Sequence, residues 1–463
     1  MIARFQASLP MLREVIHEAR RTAALALPLA AGQLSQILIS LADTLMVGRV
    51  GVLPLAAATF ANNVLYLPFV VGLGFSMAIS IRVSQARGAG DTAAARDALR
   101  HGFYLALVLG ALTMLGVWGI QPFLGLFRQE PEIIRAVPRY FLLIALSLIP
   151  ALAAMAVKNH ADAMNTPWPP FWIMLGGAGL NVVFNWVFIY GNLGAPRMGL
   201  DGAGVATLLA RVAIFAAIII WCRRSPRVRD WIPVHWFRPP HWATIRDQIR
   251  LGLPASLQLL AEVSAFVMAT LLIGTLGPDA LASHQVAMTC AATIFMVPLG
   301  LSQALTVRMG EAWGAARQAQ LRFILVSGWV LVLAFTACSA QSFVYFHRTM
   351  AGWFLTDPAA AALAGKLLLV SAVFQVSDAL QVSSAGALRG LGDVAIPSCI
   401  AFVAYWIVSI PAGWCFTFPL GMGVIGMWWG ITLGLTTTAV ALGVRVWRKT
   451  HWLLEPNEKA GAG

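Results

Sequence analysis

The chain has 463 residues, of which 59% are apolar and only 11% charged, with a mean hydropathy of +0.76. A soluble domain carries about 25% charged residues, so this composition excludes one and points to a polytopic membrane protein. The net charge of +13 would suit a nucleic-acid binder, but the basic residues gather at the ends of apolar segments, which assigns the charge to membrane topology and predicts no nucleic-acid partner.

Residues 1–21 mix Arg and Glu without an apolar core. They read as a cytoplasmic lead-in ending at Arg20 and Arg21, not as a cleaved signal. A spanning helix needs about 20 apolar residues. Twelve segments meet that requirement: 22–48, 54–82, 100–124, 133–157, 169–191, 200–222, 250–276, 281–308, 321–346, 361–386, 395–417 and 422–446. Between the sixth and seventh, residues 223–249 are rich in Pro, Arg and Trp and cannot span a bilayer. The predicted division is an N-lobe (22–222), a cytoplasmic linker (223–249), a C-lobe (250–446) and a cytoplasmic tail (447–463). With the N-terminus inside, 24 of the 32 Lys and Arg fall on the cytoplasmic side, among them Lys158, Arg389 and Lys459. Arg49, Arg128, Arg135, Arg139, Arg197, Arg348 and Lys366 fall outside, and Arg211 lies within the sixth segment. This bias puts both termini in the cytoplasm.

The first and seventh segments open a repeat. Residues 27–89 align without a gap on 253–315, with 20 of 63 positions identical. Leu27, Pro28, Gly48, Gly51, Gly74, Ser76, Arg82 and Gly88 return as Leu253, Pro254, Gly274, Gly277, Gly300, Ser302, Arg308 and Gly314. Weaker echoes, such as Met198-Gly199 with Met422-Gly423, extend it. Six helices per copy is an even number, so both copies cross the membrane in the same sense. The expected fold is all-α, with two six-helix bundles related by a pseudo-twofold axis along the membrane normal, around a central cleft.

The acids are not duplicated. Asp43 aligns with Ala269, and Glu262 with Gln36. An acid at the bilayer centre costs on the order of 3 kcal/mol, and only Asp43, Glu262 and Asp378 fall well inside segments. Each lies on a polar stripe: Gln33, Gln36, Ser40 and Asp43; Gln258 and Glu262; Ser371, Gln375 and Asp378, with Phe374 one turn before the acid. Such faces line a cavity or pack together. The plain alternative is buried salt bridges, but Arg211 is the one base placed inside a segment, and it can pair with one acid, not three. A carboxylate in an apolar cavity holds a proton or takes a cation to offset its charge. If Glu262 and Asp378 are close, the pair suits sodium, with Ser371 or backbone carbonyls adding oxygens.

Asn181 and Asn185 are spaced i, i+4 on the fifth segment and predict a hydrogen-bond relay with Asp43; a lone Asn would be helix–helix glue. His284 and Gln285 suit either an interhelical hydrogen bond or gating. Seventeen Trp, 24 Phe and 16 Met are mostly core or interface residues, and those facing the cavity would hold flat organic cations. Five scattered cysteines show no metal or disulfide spacing. There is no GxxxxGK[ST], HExxH or GxSxG motif, so no enzyme and no bound cofactor is expected.

SLADTLMVGRVG around Asp43, ASHQVA at 282–287, LSQALTVRMGEAWG at 301–314 and FQVSDALQVSSAGALRGLGD at 374–393 carry a resemblance over essentially the whole chain. They resemble the multidrug and toxic compound extrusion (MATE) transporters of the NorM-like bacterial branch. The resemblance implies twelve helices in two lobes and antiport of cationic drugs and dyes against sodium or protons, in a bacterial inner membrane. It implies an N-lobe acidic site at Asp43 with Asn181 and Asn185, and a C-lobe cation site at Glu262 and Asp378. Some NorM-like members carry Tyr where this chain has Phe374, which removes a hydroxyl ligand, and Arg211 is foreign to the pattern. The expected function is drug efflux by a protein working as a monomer among membrane lipids. Flipping of a lipid or lipid-linked glycan is the alternative, disfavoured by an acidic cleft, and a membrane-embedded enzyme is the remote one.

Overall fold

The computed structural model describes residues 2–127 and 129–452. Arg128 and the tail beyond Trp452, with Lys459, lie outside the described residues, as does the side chain of Arg4. Among the described residues, twelve helical stretches are long and apolar enough to cross a membrane. The first six are α1 (Ile2–Gly48), α2 (Val52–Ala89), α3 (Thr92–Ile120), α4 (Pro131–Ala163), α5 (Trp168–Tyr190) and α6 (Leu200–Arg224). Then come α7 (Trp242–Gly274), α8 (Pro278–Gly314), α9 (Gln318–Phe354) and α10 (Pro358–Gly390). The eleventh span is composite: α11 (Ala395–Phe402), a π-helical turn (Val403–Ser409) and α12 (Ile410–Thr417). The last is α13 (Gly423–Trp452).

Several helices outrun their apolar segments, because a helix continues into the polar zone when its end is capped. α2 runs on to Ala89, and Gly90 closes it with φ +73. α3 begins at Thr92, where Asp91 caps it by accepting from the Ala94 N–H at 2.9 Å. The lead-in 1–21 is not separate: α1 passes through that boundary unbroken. Glu18 is buried there and ion-paired with the buried Arg308 of α8.

The chain forms two compact units, Met1–Gln33 with Gln258–Gly463, and Leu34–Leu257. The division thus falls inside α1 and α7, whereas the linker lies wholly within the second unit. The glycines of the repeat give the reason. A Cβ on Gly74 of α2 would meet the backbone of Ser256 in α7, and one on Gly300 of α8 would meet the backbone of Ala30 in α1. Gly74 and Gly300 are equivalent positions, as are Ala30 and Ser256. The first part of each opening helix therefore packs on the second helix of the other copy.

In the second unit α4 is central and packs on α2, α3 and α6. Phe141, Ile144, Ala145 and Leu148 of α4 meet Ala57, Ala61 and Leu65 of α2 in the buried core. The linker is shorter than the predicted 223–249, since residues up to 224 and from 242 are helical. It is tied down on α3. Tyr104 donates to the carbonyls of Trp236 (2.6 Å) and Arg238 (2.9 Å), and His101 Nε2 accepts from the His241 N–H at 3.0 Å. Arg82 grips Asp247 through both carboxylate oxygens, with Nε donating to Oδ2 at 2.6 Å.

In the first unit α10 is central, among α8, α9 and α13. Gly386 and Gly390 admit the carbonyls of Ser302 and Thr306 from α8. Gly430 and Gly434 of α13 do the same for the π-helical turn and α12: a Cβ at Gly434 would stand 2.9 Å from the Ala404 carbonyl oxygen. Small residues at this spacing allow close helix packing.

Candidate functional site

Each unit holds one group of buried polar residues around an acid. In the second unit, Asp43 lies five residues before the end of α1. Asn185 of α5 donates to Asp43 Oδ1 at 2.6 Å and to Asn181 Oδ1 at 3.1 Å. Asn181 donates in turn to Thr207 Oγ1 of α6 at 3.4 Å. Both asparagines are buried, so Asp43 ends a chain of amides that crosses from α6 through α5. The i, i+4 spacing of the asparagines foretold a shared face; Thr207, one turn before Arg211 on α6, was missed.

Arg211 stands within electrostatic reach of Asp43 but not in contact with it. Its Nη1 donates to Ser147 Oγ of α4 at 2.7 Å. A cavity of about 140 Å³ is lined by Gln36, Asp43, Lys158, Asn181, Thr207 and Arg211, with apolar side chains between them. Lys158, assigned by sequence to a cytoplasmic end, is thus part of the wall, held by Asp162 Oδ2 at 2.6 Å. The cavity carries both signs of charge rather than acid alone. Ser40 is exposed and is not among its walls.

In the first unit, Glu262 of α7 and Asp378 of α10 lie within electrostatic reach of each other. Tyr405, in the π-helical turn, lies beside Glu262 and within electrostatic reach of Asp378. Its buried hydroxyl faces the Glu262 carboxylate. Trp406 donates its indole N–H to the carbonyl of Ala261 at 3.2 Å, which fixes the turn against α7 one residue from Glu262. Phe374 is buried, 6.3 Å from the Phe266 ring and 5.5 Å from Trp428 between centroids. Arg389, placed by sequence at a cytoplasmic end, is buried at the end of α10, within electrostatic reach of Glu262, and donates to Ser302 Oγ at 2.8 Å. Tyr405 and Arg389 are the residues missed here. Neither lies on a polar stripe, so periodicity gave no signal for them.

The remaining predicted residues divide. Ser371 Oγ and Gln258 Oε1 are buried without partners, and Gln375 Oε1 accepts from Ser339 at 2.6 Å. Gln285 is exposed. Its neighbour His284 is the buried one. Thr270 Oγ1 donates to the Phe266 carbonyl and so accepts from His284 Nε2 at 2.9 Å, while His284 Nδ1 accepts from Trp428 Nε1 at 3.2 Å. His284 is therefore the Nε2–H tautomer and bridges α7 to α13, the interhelical alternative.

The MatE family model matches residues 28–187 and 254–415, one span in each copy of the repeat. A probable multidrug resistance protein NorM of Rhizobium meliloti (strain 1021) is 35% identical over 429 residues, 92% of this chain and 92% of that protein. The multidrug resistance protein PmpM of Pseudomonas aeruginosa is 32% identical over 459 residues, 98% of this chain and 96% of that protein. Among solved structures, the Vibrio cholerae MATE transporter VcmN superposes with a TM-score of 0.87 at 19% identity, covering 95% of this chain and 98% of that one. A MOP superfamily transporter from Pyrococcus furiosus superposes with a TM-score of 0.85 at 21% identity, covering 95% and 97%. These likenesses share the all-helical fold of twelve candidate transmembrane helices described above. With matches to the family model in both copies and full-length relatives above 30% identity, this multi-pass membrane protein belongs to the MatE family.

Proposed function

We propose that the protein is a secondary active multidrug efflux antiporter of a bacterial inner membrane, exporting amphipathic organic cations in exchange for sodium ions or protons. The observation that carries this reading is the pair of polar-ringed acid groups, half-buried Asp43 in one unit and half-buried Glu262 with buried Asp378 in the other. Membership in a family whose relatives are named for multidrug resistance supports it. A carboxylate removed from water is stable only with a proton or a cation beside it. Occupancy of such a group by the coupling ion then excludes a positively charged drug. By linkage the drug lowers ion affinity by the same factor. The termini are cytoplasmic in this reading, and a single chain contains the whole pathway.

The test is ethidium efflux from proteoliposomes, with a sodium gradient and a pH gradient imposed separately. Efflux under either gradient is the expected result, and the gradient that works identifies the coupling ion. No efflux under both would overturn drug antiport and move the weight to lipid flipping.

A further inference from the structure

A cavity of about 800 Å³, lined by none of the three acids, lies between α11 and the end of α13. Sites that hold small ligands span roughly 300–1,000 Å³. Its walls include Arg445, Arg448 and Lys449 of α13, with Ile400 of α11 and Val444 and Trp447 of α13 beside them. The basic side chains are only partly neutralised. Asp393, in the turn after α10, accepts from Arg445 Nε at 2.8 Å and lies 3.1 Å from Lys449 Nζ. Arg448 is exposed and has no ion pair among the described residues. One carboxylate thus stands against three cations.

Trp447 is held in place by α9. Trp329 stacks on it at 6.2 Å between centroids, and the Arg322 guanidinium lies 4.5 Å from its ring centre. Trp329 is itself fixed, donating its indole N–H to Ser384 Oγ at 3.2 Å. Arg322 keeps its Nε buried without a hydrogen-bond partner among the described residues. A fourth positive charge therefore stacks on a wall of the cavity with a donor unused.

The apolar part of the wall continues along the helix. Val440, Val444 and Trp447 are spaced 4 and 3, so they share one face of α13, and all three are exposed. Tryptophan and basic residues mark the level where a helix leaves hydrocarbon for the headgroup zone. Toward its end, this face of α13 passes from aliphatic to aromatic to cationic, the order of acyl chain, interface and phosphate in a lipid leaflet. Basic pockets between membrane helices hold anionic headgroups in this way. A free anion would use the cations alone.

We propose that this cavity holds an anionic phospholipid, with its phosphate on Arg448 and Lys449 and an acyl chain along Val444 and Val440. A zwitterionic headgroup brings an ammonium to the same cations and is disfavoured. The site is independent of the coupling acids.

The experiment is native mass spectrometry of the purified full-length protein in detergent, titrated with dioleoylphosphatidylglycerol or with dioleoylphosphatidylcholine, which carry the same chains. Wild type is expected to bind the anionic lipid about tenfold more tightly, and equal affinity for both overturns the proposal. Arg448→Ala combined with Lys449→Ala is expected to weaken phosphatidylglycerol binding about tenfold or more, and a change within about twofold overturns the assignment. Arg223→Ala with Arg224→Ala removes the same charge from the exposed end of α6. That variant is expected to stay within about twofold of wild type; a loss equal to that of the α13 variant would show general charge attraction and overturn the site. If the α13 double variant does not accumulate, Arg448→Glu decides, because that side chain is exposed: a fall of about tenfold supports the site and a change within about twofold overturns it. Inorganic phosphate in large excess is expected to leave the lipid bound. Displacement of the lipid by phosphate would show a plain anion site and overturn the lipid assignment.

Discussion

Asp43 and Glu262 occupy helices that repeat one another at an offset of 226, yet their surroundings differ in kind. Asp43 is a single acid, held by the Asn185 amide, in a cavity whose wall also carries Arg211 and Lys158. Glu262 is one of two acids, with Tyr405 beside it, in a unit where the Phe374 ring packs between Phe266 and Trp428. The backbone positions are shared, and the charges are not: Asp43 stands where the other copy has Ala269, and Glu262 where it has Gln36. Duplication supplies two equivalent pockets, and single replacements at stripe positions then give them different electrostatic tasks.

The contrast breaks most visibly if one group is dispensable. Glu262→Gln and Asp43→Asn are each expected to reduce dye efflux from proteoliposomes by about 100-fold or more, with normal protein levels in the membrane. Wild-type efflux in either variant would mean that a single unit does the coupling. Asn185→Ala removes the short amide donor to Asp43. Hydrogen bonds to charged groups are worth about 1.5–3 kcal/mol, so efflux is expected to fall about tenfold, less than on removal of the acid itself. An equivalent loss is not expected from Gln285→Ala, since that side chain is exposed.

Arg211 sharpens the comparison further. It is fixed on Ser147 rather than paired with Asp43, so it acts through space on whatever occupies the cavity. Removing a positive charge at that range favours a cation there by roughly 1 kcal/mol at the effective dielectric of a protein site. Arg211→Met is expected to tighten binding of a monovalent cationic dye about fivefold in an equilibrium titration. Weaker binding would show instead that Arg211 holds Asp43 in place.

The sequence made the scaffold and the acids legible for the same reason: both write periodic signals. Twelve apolar runs gave twelve spans, and of the stripe Gln36–Ser40–Asp43 two members, Gln36 and Asp43, line one cavity. What escaped was whatever a neighbouring helix contributes at a single position. Tyr405, Thr207 and Lys158 each enter a site through packing of another element, and none lies in a stripe that marks it. Arg389 was hidden by the positive-inside rule, which reads a basic residue near a helix end as solvated; here it is buried and bound to Ser302. The division of the units was hidden too, because a polar linker signals a boundary in sequence but not where helices pack. Here Tyr104 holds the linker to its own unit, and the boundary lies in the middle of two apolar helices.

The smallest expected difference concerns that shared packing. Gly74 and Gly300 are equivalent in the repeat, and each leaves room for backbone rather than for a flexible side chain: Ser256 in one case, Ala30 in the other. Backbone cannot yield to an added methyl by changing rotamer. Gly74→Ala and Gly300→Ala are therefore each expected to destabilise the protein by about 1–3 kcal/mol, read as lower melting temperatures of the purified variants. The two losses are expected to agree within about 0.5 kcal/mol, and the double variant to be additive, since the two glycines meet different residues. A much larger loss from one of them would show that the two helix exchanges bear unequal strain. The asymmetry now visible only in the acids would then extend into the scaffold itself.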